Sequence, residues 1–86
     1  MTYTVSWSAK ALAKLAHIWS EAADRQAVTD AADQIDAALR LSPFDVGESR
    51  EYPRRVLFVG PLAIYFTISE ADRYVLVLSV WARSKA

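Results

Sequence analysis

The sequence contains no cysteine, so neither a disulfide nor a thiolate-bound metal can reinforce its fold. Only two glycines occur among 86 residues, too few for the close backbone approach that a glycine-rich phosphate loop requires. There is no Gly-x-Ser-x-Gly elbow and no spaced set of metal ligands, and no cofactor or metal is expected. No apolar run approaches the roughly 20 residues that cross a bilayer. The first residues alternate instead of placing a basic segment before an apolar one, as a secretory signal would. A cytoplasmic location without a membrane partner is the expectation. The formal net charge is zero, which excludes a strong overall field for nucleic acid.

What the chain does have is apolar and aromatic mass. Hydrophobic residues make up 53% of it, with three Trp, four Tyr and three Phe. At this length one domain, spanning residues 1–86, is expected. Its stability must come from that core or from a partner, because short chains bury a smaller share of their surface. The charge is also uneven. Residues 1–48 carry four Lys and Arg against seven Asp and Glu, a net of −3, whereas residues 49–86 carry six against three, a net of +3.

Thr2 to Trp7 alternates strictly, with Tyr3, Val5 and Trp7 on one face, and predicts a half-buried strand. Ser8 suits the N-cap of a helix that carries Leu12, Leu15, Ala16, Trp19 and Ala22 at helical spacing. Asp24 is a second candidate cap, followed by Val28, Ala31, Ala32, Ile35, Ala38 and Leu39. Pro43 stops that second helix near Leu41. The short connection makes an antiparallel helical hairpin. Residues 43–53 read as a loop.

Three strands are predicted next: Arg55 to Val59, Leu62 to Ser69 and Tyr74 to Trp81. Gly60-Pro61 suits a two-residue type II′ turn, which would set Val59 opposite Leu62. Arg55, Leu57, Val59, Leu62, Ile64 and Phe66 then share the face toward the helices, joined by Leu76, Leu78 and Val80. Arg54, Val56, Phe58, Ala63, Tyr65 and Thr67 share the other, with Val75, Val77, Ser79, Trp81 and Arg83. The expected fold is α+β in two layers, β-α-α-β-β-β, with the hairpin on one face of a small, mainly antiparallel sheet.

His17 is the single histidine and could in principle act as acid or base. Its place off the Leu12–Leu15–Trp19 stripe makes it a surface residue remote from the open sheet face. The stronger constellation is Arg54, Tyr65, Trp81 and Arg83 on that face, with Arg50 and Tyr52 in the adjoining loop. Guanidinium groups hold phosphates and aromatic rings stack on unpaired bases, so the set suits RNA. Arginines could also stabilise the charge that develops when a 2′-hydroxyl attacks its phosphate, without a metal. A structural reading stands beside this one. Tyr65 and Trp81 could close a small secondary core, and the arginines could pair with Glu48, Glu51 or Asp72.

The chain resembles the RelE/ParE superfamily, which includes plasmid-stabilisation-like toxins of type II toxin–antitoxin systems. The segments that carry the likeness are Tyr3 to Ser8 with Ala11 to Leu15, Ile35 to Pro43, Ser49-Arg50-Glu51, Arg55 to Pro61, Ala63 to Phe66 and Val77 to Arg83. Each is weak, but their order and spacing together are fairly specific. The resemblance implies a growth-inhibiting bacterial toxin held by a cognate antitoxin encoded beside it. RelE-like members cut mRNA on the ribosome, whereas ParE-like members inhibit DNA gyrase without being enzymes.

On the first pattern Arg83, Arg54 and Arg50 would be catalytic, while Tyr65, Trp81, Arg55, Lys85 and Tyr52 would contact the target. Two departures separate the chain from that pattern. Leu62 stands where an arginine is common, and nothing aromatic follows Trp81. A catalytically inactive binding protein of the same fold is the third expectation.

Overall fold

In a computed structural model of the protein, residues 2–51 and 53–83 are described. The elements are β1 (Thr4–Trp7), α1 (Ala9–Glu21), α2 (Arg25–Leu41), β2 (Glu48–Ser49), β3 (Arg55–Val59), β4 (Leu62–Ser69) and β5 (Tyr74–Ala82). They form one five-stranded sheet in the order β1-β5-β4-β3-β2. β1 runs parallel to β5, and the other neighbours are antiparallel. This is the expected α+β arrangement with an added edge: β2, two residues long, lies within the stretch read as loop. Alternation over two residues is too short to signal a strand.

Both helices begin where their caps predict. The Ser8 Oγ accepts from the Ala11 amide at 3.0 Å, and the Asp24 carboxylate accepts from the Ala27 amide at 3.0 Å. Arg25 closes the hairpin by donating to the Trp19 and Ser20 carbonyls at 3.3 and 3.1 Å. A cation thus sits at the negative end of α1. α2 ends at Leu41, ahead of the buried Pro43.

The core lies between α2, α1 and one sheet face. Ile35, Leu39, Leu62, Ile64, Phe66, Val75 and Val77 are its largest fully buried members. Such side chains contribute about 1.5–3 kcal/mol each when removed from water. The β3–β4 turn is the two-residue one expected: Val59 faces Leu62, and Gly60 takes φ +52°.

Two packing expectations are corrected. On β5, Val75 and Val77 face the core, while Leu76 and Leu78 are only partly buried. A bulge is the cause. Tyr65 pairs with Ser79 but Phe66 pairs with Val77, so Leu78 is an extra residue and the face inverts beyond it. Val80 and Trp81, on the near side of the bulge, keep the expected core and open faces.

On α1 the core face is Ala11, Leu15, Ile18 and Ala22, whereas Leu12 and Trp19 are 53% and 43% exposed. At 3.6 residues per turn the buried stripe is rotated by roughly a quarter turn from the one that the larger side chains suggest.

Candidate functional site

The face of the sheet away from the helices carries two rows set by strand register. Val56, Tyr65 and Ser79 stand across β3, β4 and β5, and Phe58, Ala63 and Trp81 form the next row. The Tyr65 and Trp81 rings meet at 5.0 Å between centroids, inclined at 48°. Val56 and Ala63 are buried although they lie outside the main core cluster. The aromatic side chains of their own face cover them, forming the small secondary core that was one of the two readings of this region.

Basic groups ring this aromatic floor. The Arg54 guanidinium carbon stands 5.7 Å from the Tyr65 centroid. That of Arg83 stands 5.1 Å from the centroid of Phe58, which is 46% exposed. Arg83 is held there by its position after β5: its amide donates to the Pro61 carbonyl at 2.9 Å and its Nη1 to the Gly60 carbonyl at 3.3 Å. Arg54, Tyr65, Trp81 and Arg83 thus share one continuous surface, with Phe58 as a member that the sequence reading left without a role.

The loop arginines are partly committed. Arg50 pairs with Glu48 at 3.0 Å and Arg54 with Glu51 at 3.5 Å. Both glutamates are largely exposed, at 67% and 87% of their side chains. Pairs of this kind contribute at most about 1 kcal/mol and exchange readily for a better anion.

Arg55 does not join the open face. Its Nη2 donates to the Phe44 and Val46 carbonyls at 3.3 and 3.1 Å, fastening the loop that follows α2. Register turns it toward the helix side, away from Tyr65 and Trp81. Tyr52 and Lys85 lie outside the described residues. Leu62 is fully buried in the core, so its position presents nothing to the open face.

His17 is exposed, as expected, but it is not remote from this surface. It lines a groove of about 400 Å³ together with Lys14, Trp81 and Arg83. Helical periodicity in α1 carries no signal of this, because it shows only which side faces the core. In the structure α1 also runs beside the part of β5 that β1 leaves unpaired, since β1 reaches only Val77. Among the described residues no cluster of three or more His, Asp or Glu is arranged to hold a metal. Among the described residues no helix is long and apolar enough to cross a membrane.

A second surface lies between the helices on their outer side. Leu12, Leu15, Ala16, Trp19, Val28 and Ala32 line an apolar groove of about 390 Å³, rimmed by Thr29 and Asp33. Trp19 is fixed at its edge. The indole Nε1 donates to Thr29 Oγ1 at 3.2 Å, and the Arg25 guanidinium carbon lies 4.7 Å from the indole centroid.

No protein-family model and no curated protein matches the chain in sequence. Solved structures do match it in three dimensions. A chain of the RelBE2 toxin–antitoxin complex of Mycobacterium tuberculosis superposes with a TM-score of 0.79 at 19% identity, covering 96% of this chain and 100% of that one. A chain of the chromosomal ParDE toxin–antitoxin system of P. aeruginosa gives 0.76 at 18% identity, covering 95% and 97%. The isolated E. coli RelE toxin gives 0.57 at 11% identity, covering 98% and 87%. Agreement over nearly the whole length of both partners, at identities this low, is agreement in fold. The chain therefore has the fold of the RelE/ParE toxins.

Proposed function

We propose that this protein is the toxin of a type II toxin–antitoxin pair, that a cognate antitoxin holds it inactive, and that it acts on mRNA at the ribosome. The observation that carries the reading is the open sheet face: an aromatic floor of Phe58, Tyr65 and Trp81 flanked by Arg54 and Arg83. Bases of an unpaired strand stack on such rings while guanidinium groups take the phosphates.

Cleavage there would join the 2′-oxygen to the adjacent phosphorus as the bond to the 5′-oxygen breaks. The 2′-hydroxyl gives its proton to solvent, and the 5′-oxygen takes one from solvent. Arg83, with Arg54 and Arg50 once their glutamates are displaced, would stabilise the charge that builds on phosphorus oxygens. Phosphate exchanges with these exposed glutamates because a dianionic transition state offers bidentate, charge-assisted hydrogen bonds.

The apolar groove between α1 and α2 supplies the antitoxin's seat. Leu12 and Trp19 are large, exposed and line the same groove, which suits a partner segment that folds on binding.

Induced expression should stop growth, and co-expression of the neighbouring reading frame should restore it. Purified protein, freed of antitoxin and added to a translating extract, should cut message within codons, and Trp81→Ala with Arg83→Gln should abolish the cuts. Intact message under conditions that halt growth would refute the ribonuclease. A second reading, non-enzymatic inhibition of DNA gyrase, draws on the paired state of Arg50 and Arg54 and on the burial of Leu62. A supercoiling assay then discriminates: inhibition with intact message selects gyrase, and no growth arrest at all leaves a binding protein.

A further inference from the structure

Of the three arginines expected to be catalytic, Arg50 and Arg54 are paired, and most of the unpaired positive charge of this surface lies elsewhere. Arg50 and Arg54 each hold a glutamate, whereas none of the ion pairs among the described residues engages Lys10, Lys14 or Arg83. Those three cations surround Trp81. Lys14, His17 and Arg83 share its groove at the end of β5, and Lys10 and Lys14 share a second hollow with Ser79 and the other side of Trp81. On α1, Lys10, Lys14 and His17 fall at i, i+4 and i+7, one exposed stripe on the flank opposite Leu12 and Trp19. Glu21 continues the stripe and closes the far end of the groove with an opposing charge, which bounds the basic track.

We infer that the RNA-binding surface continues over the edge of β5 onto α1, where Lys14, Lys10 and His17 take the phosphodiester backbone of a single strand whose base stacks on Trp81. The inference rests on the RNA reading given above and adds the path of the strand. Trp81 is the hinge of that path, half-buried between the sheet face and the helix stripe. An acidic protein segment would satisfy the cations but would leave the Tyr65–Trp81 pair without a stacking partner. The aromatic and basic groups together therefore favour RNA.

Fluorescence anisotropy with a short unstructured oligoribonucleotide tests this on the full chain. Lys10→Gln with Lys14→Gln keeps good helix formers at exposed positions, so the fold is retained. Removing one cation that neutralises a phosphate should flatten the slope of log K against log salt by about 0.7, and the double variant should bind roughly tenfold more weakly at 0.1 M salt. His17→Gln should add a smaller loss. Arg40→Gln, at the end of α2 beside Tyr3, removes as much charge as either lysine substitution alone and should change nothing.

Four results would overturn the inference. Unchanged affinity in the double variant, with Trp81→Ala and Arg83→Gln still weakening binding, rejects the helix path and spares the RNA reading. A loss in Arg40→Gln as large as that of either single lysine substitution would reduce the effect to net charge. Competition by polyglutamate as strong as by RNA of equal charge would make the surface a seat for acidic protein. A wild-type chain that binds no RNA removes the reading and the path together.

Discussion

Ser8 serves two elements at once. Its Oγ accepts from the first turn of α1 and donates to the Leu78 carbonyl at 3.0 Å, while its amide donates to the Val77 carbonyl at 2.9 Å. The hydroxyl thus satisfies the carbonyl of the bulged residue and fixes where α1 leaves the sheet. Ser8→Ala should cost about 2 kcal/mol: roughly 1 for the lost cap and roughly 1 for an unmet carbonyl. Ser8→Asp restores the acceptor but not the donor, so it should recover about half of that loss in urea unfolding. Equal stability of the Ala and Asp variants would mean that the Leu78 bond carries the whole effect.

Gly47 is a comparable single point of failure. It has φ +73°, and a Cβ there would run into the Val56 carbonyl oxygen. Gly47→Ala should destabilise by more than about 1 kcal/mol and separate β2 from β3, releasing the segment that holds Arg50. At Gly60 a Cβ would meet only the Ala31 methyl at 3.7 Å, so there the φ of +52°, and not a clash, is what strains a substitution.

At the scale of elements, α1 is a three-sided helix. Ala11, Ile18 and Leu15 turn to the core, Leu12 and Trp19 to the groove shared with α2, and Lys10, Lys14 and His17 to the edge of β5. The two exposed flanks predict separable functions. Trp19→Asp should weaken antitoxin binding by 30-fold or more, about 2 kcal/mol, the ordinary effect of losing a central aromatic anchor. It should leave RNA binding and growth arrest intact, because Trp19 and Trp81 lie on different sides of the helix. Titration calorimetry with the purified antitoxin measures the first effect. An antitoxin affinity unmoved by this substitution would place the partner elsewhere.

Much of this arrangement is readable in the chain. Strict alternation in β1, two capping side chains and the Gly60-Pro61 turn are local signals, and the structure follows each of them. The failures come from effects that are not local. Nothing in Leu76-Val77-Leu78-Ser79 announces a bulge, since it contains no glycine and the bulge answers to Ser8 from a distant part of the chain. The stripe of α1 departs from expectation because side-chain size does not track burial there. Ala11, which is small, is fully buried, while Trp19 is not. An exposed apolar surface has the residue types of a core, and periodicity alone does not tell the two apart. His17 is misplaced for the same reason: its neighbourhood depends on how far β1 covers β5, which is a property of the assembled sheet.

On the scale of the whole molecule, the two halves of the chain carry opposite charge, and the fold brings basic groups of both to one side. Lys10 and Lys14 come from the half with a net of −3, Arg54 and Arg83 from the half with a net of +3. The apolar groove lies on another side, so an antitoxin segment in the groove should stabilise the protein there, and a further acidic segment of the same partner would have to cover the basic face to silence it. The size of that stabilisation follows from linkage. A partner present at 100 times its dissociation constant, and binding only the native state, adds about 2.7 kcal/mol. For a domain of this length each kcal/mol moves the midpoint of thermal unfolding by roughly 4–8 °C, so the shift should be about 10–20 °C. A chain without disulfides, with Leu12 and Trp19 left in water, has that margin to gain. Differential scanning calorimetry of the free chain, the complex and the complex with Trp19→Asp checks it. The variant should lose most of the shift while its own midpoint, measured alone, stays within a few degrees of the wild type. A full shift in the variant would mean that the antitoxin grips the basic face instead, and RNA should then compete with it directly.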